Sequence, residues 1–306
     1  MAQGWPALSY DQWRETCDTL HAHAQVLGKL AVELAPPEPE LQHGALRLSA
    51  RGWETAPLPA PDGSGSLVAA LDLRVHEAVV EHDGGAVKRV PLTPDRPVAE
   101  VTREVLAAVA DVAGEVRINP APQEVSWHVP LDEDYDHARY DPGPVRDYFA
   151  AATQAALALA AFRAPYRGRS TPVNAWWGRF DLAVTMFSGR PADPHSDDFI
   201  ARNSNDAEMV MVGWSPGNAR HPQPAFYAFT SPSPPTFAAG ALSPAAAHWD
   251  QGEGQYILDW DQVRAAPDPR ATAVEFAHSA FQRACQVSGW DPALPGSTEG
   301  SPPPIR

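Results

Sequence analysis

Histidine and carboxylate side chains give this chain its candidates for proton transfer. His21 stands one turn after Cys17 in the first helical pattern, at the edge of the apolar face, and a polar group there often faces a cleft. The same histidine could instead hydrogen-bond a carbonyl group in the core, because buried polar groups are usually paired. An imidazole and a carboxylate can exchange a proton or orient one another. We therefore predict three catalytic residues: His21, His43 and Glu208.

The residues from His43 to Arg51 alternate between apolar and polar types. Such alternation is typical of a half-buried strand, and it would place His43, Arg47 and Arg51 on one face. Three cationic or titratable groups on one face could bind a substrate carboxylate. The solvated outer face of a sheet shows the same alternation, so both interpretations stay open.

Segment 172–181 carries two adjacent tryptophans followed by a glycine, an arginine and an aspartate. As one strand, it places Trp176 on one face and Trp177, Arg179 and Asp181 on the other. One tryptophan would face the core, with Trp176 the better candidate, and the other a groove. Arg179 and Asp181 could form an ion pair. The predicted substrate-binding residues are Arg51, Asn174, Trp176, Trp177, Asp181 and Tyr227.

No common cofactor motif occurs in the sequence. It contains no P-loop, no G-x-G-x-x-G turn and no H-E-x-x-H helix, which argues against the usual nucleotide, dinucleotide and zincin sites. His195, Asp197 and Asp198 could ligate a metal, but their spacing matches no specific site, and a solvated acidic loop explains them more simply. We therefore expect neither a metal ion nor a cofactor.

The net charge of -15 over 306 residues repels phosphate backbones and anionic membranes, and the Lys and Arg residues form no basic run. We expect a small-molecule ligand and no nucleic-acid or membrane partner, and the sequence leaves the oligomeric state open. Cys17 and Cys285 provide no disulfide framework. The N-terminal residues lack a signal-peptide pattern, and no apolar run reaches transmembrane length. These features predict a cytoplasmic protein.

Helical and strand patterns occur twice along the chain in the same order. An amphipathic helix begins near Tyr10 behind a capping-box pattern and ends before Pro36. Strands follow, with a hairpin at residues 83–85, and then a second helix. A helix over about 145–162, further strands and a last helix over about 270–287 repeat this order.

The patterns predict an α+β fold of two similar helix–antiparallel sheet–helix halves packed together. The repeated order suggests an internal duplication. The predicted segments are an N-terminal α+β half (1–119), a proline-rich connection (120–144), a C-terminal α+β half (145–290) and a flexible tail (291–306).

Several motifs spread along the chain resemble those of one bacterial family. They include Trp5-Pro6-Ala7-Leu8, Ser49-Ala50-Arg51-Gly52, His137-Ala138-Arg139-Tyr140-Asp141-Pro142, Trp177-Gly178-Arg179-Phe180-Asp181-Leu182-Ala183 and Phe187-Ser188-Gly189-Arg190. The chain is similar nearly end to end to domain-of-unknown-function family 5996, a resemblance that implies no established activity. The family pattern often has histidines where Asn174 and Ala207 stand here. The resemblance therefore implies a divergent member and puts a metal-dependent mechanism in doubt.

These observations predict a cofactor-independent enzyme that acts on a small molecule in specialised metabolism. An aromatic-lined pocket between the halves would orient the substrate, and a histidine or glutamate would transfer protons in isomerase, cyclase, hydratase or hydrolase chemistry. Two alternatives stay open: a non-catalytic protein that binds a small molecule, and a metal-dependent hydrolase.

Overall fold

Two antiparallel sheets of six strands each, with helices packed against them, make up the fold. The computed structural model describes residues 5–194, 199–291 and 293–294. The predicted α+β class is confirmed. The helix–sheet–helix order occurs in both halves, and the duplication stays a prediction.

The N-terminal half contains the first sheet. Its elements are α1 (Tyr10–Leu34), a 3-10 helix (Pro39–Gly44), β1 (Arg47–Leu48), β2 (Gly52–Glu54), β3 (Leu58–Pro59), β4 (Ser66–Asp72), β5 (Glu77–His82), β6 (Val87–Pro91) and α2 (Val98–Ala113). The strands pair in the order β1-β2-β4-β5-β6, with β3 on β4. The predicted hairpin joins β5 to β6, and Gly85 supplies its positive φ of 90°.

The C-terminal half contains the second sheet. Its elements are α3 (Pro142–Arg163), β7 (Asn174–Trp176), β8 (Asp181–Pro191), α4 (Phe199–Ser204), β9 (Ala207–Ser215), β10 (Ala225–Ser231), β11 (His248–Asp250), β12 (Gln255–Asp259), α5 (Trp260–Arg264) and α6 (Pro269–Ser288). The strand order is β11-β12-β10-β9-β8-β7. Because successive residues of a strand face opposite sides, one side of this sheet packs against α3 and α6 and the other borders a cavity.

Helix α1 contacts elements of both halves, α2 and β4 of the first and α3 of the second. Every residue from Thr19 to Ala31 is buried, so its polar side chains must find partners inside the protein. Gln25 exchanges two hydrogen bonds of 2.9 Å with the backbone of Gln123, and Lys29 Nζ donates to the Ala121 carbonyl at 2.6 Å. These bonds hold the proline-rich segment along α1.

The predicted strand from His43 to Arg51 is wrong. His43 lies in the 3-10 helix, and only Arg47–Leu48 of this stretch is extended, as β1. Glu40 and Leu41 have positive φ values of 53° and 54°, and Leu41 is only 1% exposed. Leu41 is therefore buried within a turn, and because His43 belongs to the 3-10 helix, the predicted shared face of one histidine and two arginines does not form.

Segment 172–181 is a hairpin rather than one strand. β7 ends at Trp176, β8 begins at Asp181, and these two residues pair across the turn. The Trp177 indole packs on Gly28 of α1, where a Cβ atom would overlap it, and Trp177 is 1% exposed. Trp176 stays half-buried, so the assignment of Trp176 to the core is wrong.

The buried apolar residues of both halves form one continuous cluster. The division into halves at 1–119 and 145–290 stays a prediction, and most of the predicted tail at 291–306 lies outside the described residues. Within the described part of the chain, no helix combines the length and apolar character that crossing a membrane requires.

Candidate functional site

Two adjoining cavities lie beside the second sheet. The larger has a volume of about 580 Å³, and the smaller, which borders α1, has a volume of about 410 Å³. Both fall in the size range of small-molecule sites. Six residues line both cavities, and we call them the shared wall: Glu124, Arg179, Asp181, Tyr227, Glu253 and Gln255. The shared wall and the two cavities form the candidate site.

Asp181, the first residue of β8, is the buried carboxyl group of the shared wall. The Tyr227 hydroxyl donates a hydrogen bond to Asp181 Oδ2, and Oδ1 is buried without a partner among the described residues. Burial raises the pKa of Asp181 to about 6, although Tyr227 and the charge of Arg179 act in the opposite direction. A carboxyl group with this pKa can take up and release a proton near neutral pH.

Tyr227 reaches Asp181 because a glycine lies between their strands. Gly213 of β9 pairs with Tyr227 of β10 on one side and with Ala183 of β8 on the other. A Cβ atom at Gly213 would overlap the Tyr227 phenol ring. Burial holds the pKa of Tyr227 well above its usual range, so the phenol keeps its proton and remains a hydrogen-bond donor.

Arg179 pairs with Glu124 rather than with Asp181, the partner that the sequence suggests. Arg179 Nε lies 3.0 Å from Glu124 Oε1. Arg179 lies in the β7–β8 turn, where its side chain is 62% exposed. The predicted ion pair with Asp181 assumed that both residues lie on one face of a continuous strand, and this segment turns instead.

His21 lies in the wall of the smaller cavity. Its Nε2 is 2.8 Å from the Trp177 carbonyl and 3.1 Å from the Gly178 carbonyl. Since carbonyl oxygens only accept hydrogen bonds, Nε2 is assigned the proton. Burial lowers the pKa of His21 to about 4, so the imidazole is neutral at pH 7 and Nδ1 is an acceptor. Both sequence interpretations of His21, a cleft residue and a core hydrogen-bond donor, therefore apply.

Strained backbone conformations concentrate around the cavities. Six residues other than glycine have positive φ among those described, and four of the six line a cavity. These four are Glu40, Leu41, Glu124 and Phe180. Each such conformation costs on the order of 1 kcal/mol or more, and such residues cluster at functional sites.

The two tryptophans of the β7–β8 turn contribute differently. Trp177 Nε1 donates to the Gly44 carbonyl at 2.9 Å, so its indole is fixed in the core, and the residue also belongs to the lining of the larger cavity. Trp176 lines the same cavity, and its Nε1 is buried without an acceptor among the described residues. Trp176 therefore brings an unpaired donor to the site.

His43 and Arg51 do not line either cavity within the described chain. His43 Nδ1 accepts a hydrogen bond from the Glu38 amide at 3.0 Å. Arg51 pairs with Glu54 at 2.8 Å and with Glu81 at 3.0 Å on the first sheet. The structure therefore separates both residues from the site that the sequence predicts for them.

Asn174 and Glu208 are also outside the lining of the described cavities. Asn174 is buried, accepts from Arg47 and donates to Gln42 Oε1 at 2.9 Å. Glu208 Oε1 accepts from Arg190 Nη2 at 3.0 Å. Five of the nine predicted site residues do come together at the cavities: His21, Trp176, Trp177, Asp181 and Tyr227.

The residues suggested as metal ligands do not gather in one place. No group of three or more His, Cys, Asp and Glu side chains could hold a metal ion among the described residues, and His195 with its two neighbouring aspartates lies outside them. Asn174 pairs with Ala183, whereas Ala207 pairs with Pro191 further along β8. The two partners are eight residues apart on β8, or about 26 Å at ~3.3 Å per residue, so histidines at the two family positions would not share one metal.

The proline-rich segment contributes site residues that the sequence analysis missed. Glu124, Ser126 and Trp127 line the smaller cavity. No apolar periodicity runs through this segment, so its residues cannot be assigned to a face of a helix or strand. The one feature that could have indicated site residues is a glutamate and a tryptophan among the prolines. Next to Trp127, Asp134 Oδ2 lies 2.7 Å from His137 Nδ1, and this hydrogen bond raises the pKa of His137.

Comparisons with known proteins identify a family but no characterised relative. The model of the Family of unknown function (DUF5996) matches residues 5–295. No curated protein and no solved structure shows a significant match to the chain.

Proposed function

The chain belongs to the Family of unknown function (DUF5996), and we propose, from the geometry of the site, that it is an acid–base enzyme acting on a small organic molecule. The burial and hydrogen bonding of the Asp181 carboxyl group carry this proposal. Its carboxyl group is buried in the wall of both cavities, with one oxygen held by Tyr227 and the other unpaired among the described residues. Isomerase, cyclase, hydratase and hydrolase reactions all use such a group.

In the proposed reaction, ionised Asp181 removes a proton from the substrate through Oδ1. The Tyr227 hydroxyl keeps its own proton and holds Oδ2, which fixes the direction of the carboxylate. The neutral acid that forms returns the proton to the same substrate or to the leaving group. Asp181 thus takes the role that the sequence assigned to His43 and Glu208, and neutral His21 serves as a hydrogen-bond acceptor that orients the substrate.

The test follows the conversion of many metabolites at once, so the substrate need not be identified first. The protein is incubated in D₂O with a small-molecule extract of bacterial cells, and mass spectrometry detects new or deuterated compounds. Asp181→Asn is expected to slow the conversion by about 10²- to 10⁴-fold, the usual contribution of an acid–base group. Asp261→Asn, at a side chain that is 70% exposed, is the matched control, and Glu208→Gln is also expected to leave the rate unchanged.

Full conversion by Asp181→Asn would refute the proposed role of this residue. Conversion that is lost in Asp181→Asn and kept in Asp261→Asn supports it. Circular dichroism of each variant separates a lost reaction from a lost fold.

A non-catalytic binding protein is the second candidate. The burial of Asp181 Oδ1 favours it, because a substrate must displace neighbouring atoms before it touches this oxygen. Native mass spectrometry of the purified protein separates the two functions: a retained ligand that stays chemically unchanged in the D₂O assay supports a binding protein.

We also infer a cytoplasmic location. The support is the presence of two free thiols, Cys17 and Cys285, since secreted domains more often pair their cysteines.

A further inference from the structure

Two directly opposed residues in the lining of the larger cavity each hold a buried polar atom without a partner among the described residues. Trp176 Nε1 is a donor without an acceptor, and Asp181 Oδ1 is an acceptor without a donor, among the described residues. Trp176 and Asp181 are partners in the β7–β8 register. Fourteen buried side-chain atoms lack a hydrogen-bond partner among the described residues, and these two are the ones whose residues line a described cavity. The pair therefore fits a ligand that carries both a donor and an acceptor.

The charge around the cavities is negative. The lining contains two guanidinium groups, Arg179 and Arg220. It contains six carboxyl groups, from Asp18, Glu40, Glu124, Asp181, Asp193 and Glu253. Arg179 forms an ion pair with Glu124. Glu40 forms an ion pair with Arg169, which does not belong to the lining. An acidic surplus therefore remains, and it selects against anionic ligands.

Aromatic rings line the larger cavity beside these carboxyl groups, among them Trp176, Phe187, Tyr227 and Phe229. The face of an aromatic ring attracts cations. One of these rings already contacts a cation from outside the cavity lining, since the Arg169 guanidinium lies 4.4 Å from the centre of the Phe187 ring.

We propose that the ligand of this site is a small organic cation, a protonated amine with an apolar body and a hydrogen-bond acceptor. When the ligand displaces the atoms that cover the two unpaired atoms, the ammonium group donates to Asp181 Oδ1, the oxygen that takes the substrate proton in the proposed reaction, and the acceptor group accepts a hydrogen bond from Trp176 Nε1. The body lies against the aromatic side chains of the larger cavity. The inference rests on the proposed function for the location of the site, and it adds the substrate class.

The test measures binding of matched probes by isothermal titration calorimetry at pH 8, where the amines are protonated and Asp181 is ionised. Three apolar bodies each carry an ammonium, a hydroxyl or a carboxylate group. The ammonium probes are 2-phenylethylamine, tryptamine and hexylamine; the hydroxyl probes are 2-phenylethanol, tryptophol and hexanol; the carboxylate probes are 3-phenylpropanoate, indole-3-propanoate and heptanoate.

The ammonium probe is expected to bind at least tenfold more tightly than its hydroxyl and carboxylate counterparts on at least one body. Asp181→Asn removes this preference, and Asp261→Asn keeps it. 2-Amino-1-phenylethanol, which adds an acceptor to 2-phenylethylamine, binds more tightly than the parent to the wild type but not to Trp176→Phe.

The inference is overturned if a carboxylate or hydroxyl probe binds as tightly as the amine on every body, or if none of the nine probes binds. These comparisons use the wild type, so they hold even where a variant does not fold. An ammonium preference that survives Asp181→Asn overturns the role of Asp181 in recognition. The proposed function fails separately: conversion of metabolites by Asp181→Asn refutes acid–base catalysis and leaves the probe preference intact.

Discussion

Replacing Asp181 by asparagine is expected to change how the stability of the protein depends on pH. The pKa of Asp181 rises from 3.8 to about 6 in the folded chain because the carboxyl group is buried. Each pKa unit corresponds to about 1.4 kcal/mol, so the rise corresponds to about 3 kcal/mol. A raised folded-state pKa gives stability that is fully present below pH 3.8 and is lost as the pH rises through about 6.

Asparagine has nearly the shape of aspartate but no titrating proton. Comparing Asp181→Asn with the wild type therefore isolates the effect of the Asp181 proton. Urea unfolding of both proteins between pH 3.5 and pH 7.5 gives the difference in the free energy of unfolding, wild type minus Asp181→Asn. We expect this difference to fall by about 3 kcal/mol over that range, while the difference for Asp261→Asn changes by less than about 1 kcal/mol.

A difference that stays flat would mean that Asp181 has the same pKa in the folded and unfolded chains. A difference that rises with pH would mean that the hydrogen bond from Tyr227 and the charge of Arg179 outweigh burial. Either result would refute the assignment of Asp181 as a carboxyl group that titrates near neutral pH, and with it the chemical basis of the proposed enzyme.

Three further predictions concern the residues that position the site. Gly213→Val places a side chain where the Tyr227 ring lies; we expect urea unfolding to show a loss of about 1–3 kcal/mol. Gly28→Ala raises the intrinsic stability of the helix by about 1 kcal/mol but places a Cβ atom where the Trp177 indole lies. We therefore expect the free energy of unfolding, measured in urea, to fall, and a rise would contradict this packing. His21 is expected to be neutral at pH 6 with its proton on Nε2, and ¹⁵N NMR that shows an imidazolium would contradict this.

The helices and the hairpin of the first sheet follow from local sequence. Apolar periodicity and the prolines after Leu34 predict α1, and the structure confirms it over Tyr10–Leu34. The glycine-containing turn at residues 83–85 predicts the β5–β6 hairpin. These features depend on residues close together in the chain, so a pattern of neighbours is sufficient to predict them.

The same local patterns failed where burial decided the conformation. Alternation favours a strand from His43 onward, but Leu41 enters the core through a turn with positive φ. In the β7–β8 turn, the space beside Gly28 of α1 decides that Trp177 rather than Trp176 is buried. The partner of each side chain lies far away in sequence, and periodicity contains no information about it.

The sequence by itself determined the α+β class, the helices and the residue types available for chemistry, including His21, Asp181 and Tyr227 at the site. Only the tertiary structure decided which of these residues meet. Asp181 lies 46 residues before Tyr227, and their contact depends on Gly213 in the strand between them. Burial of that contact in the wall of both cavities, rather than the residue types alone, raises the pKa of Asp181 and gives the carboxyl group its proposed chemistry.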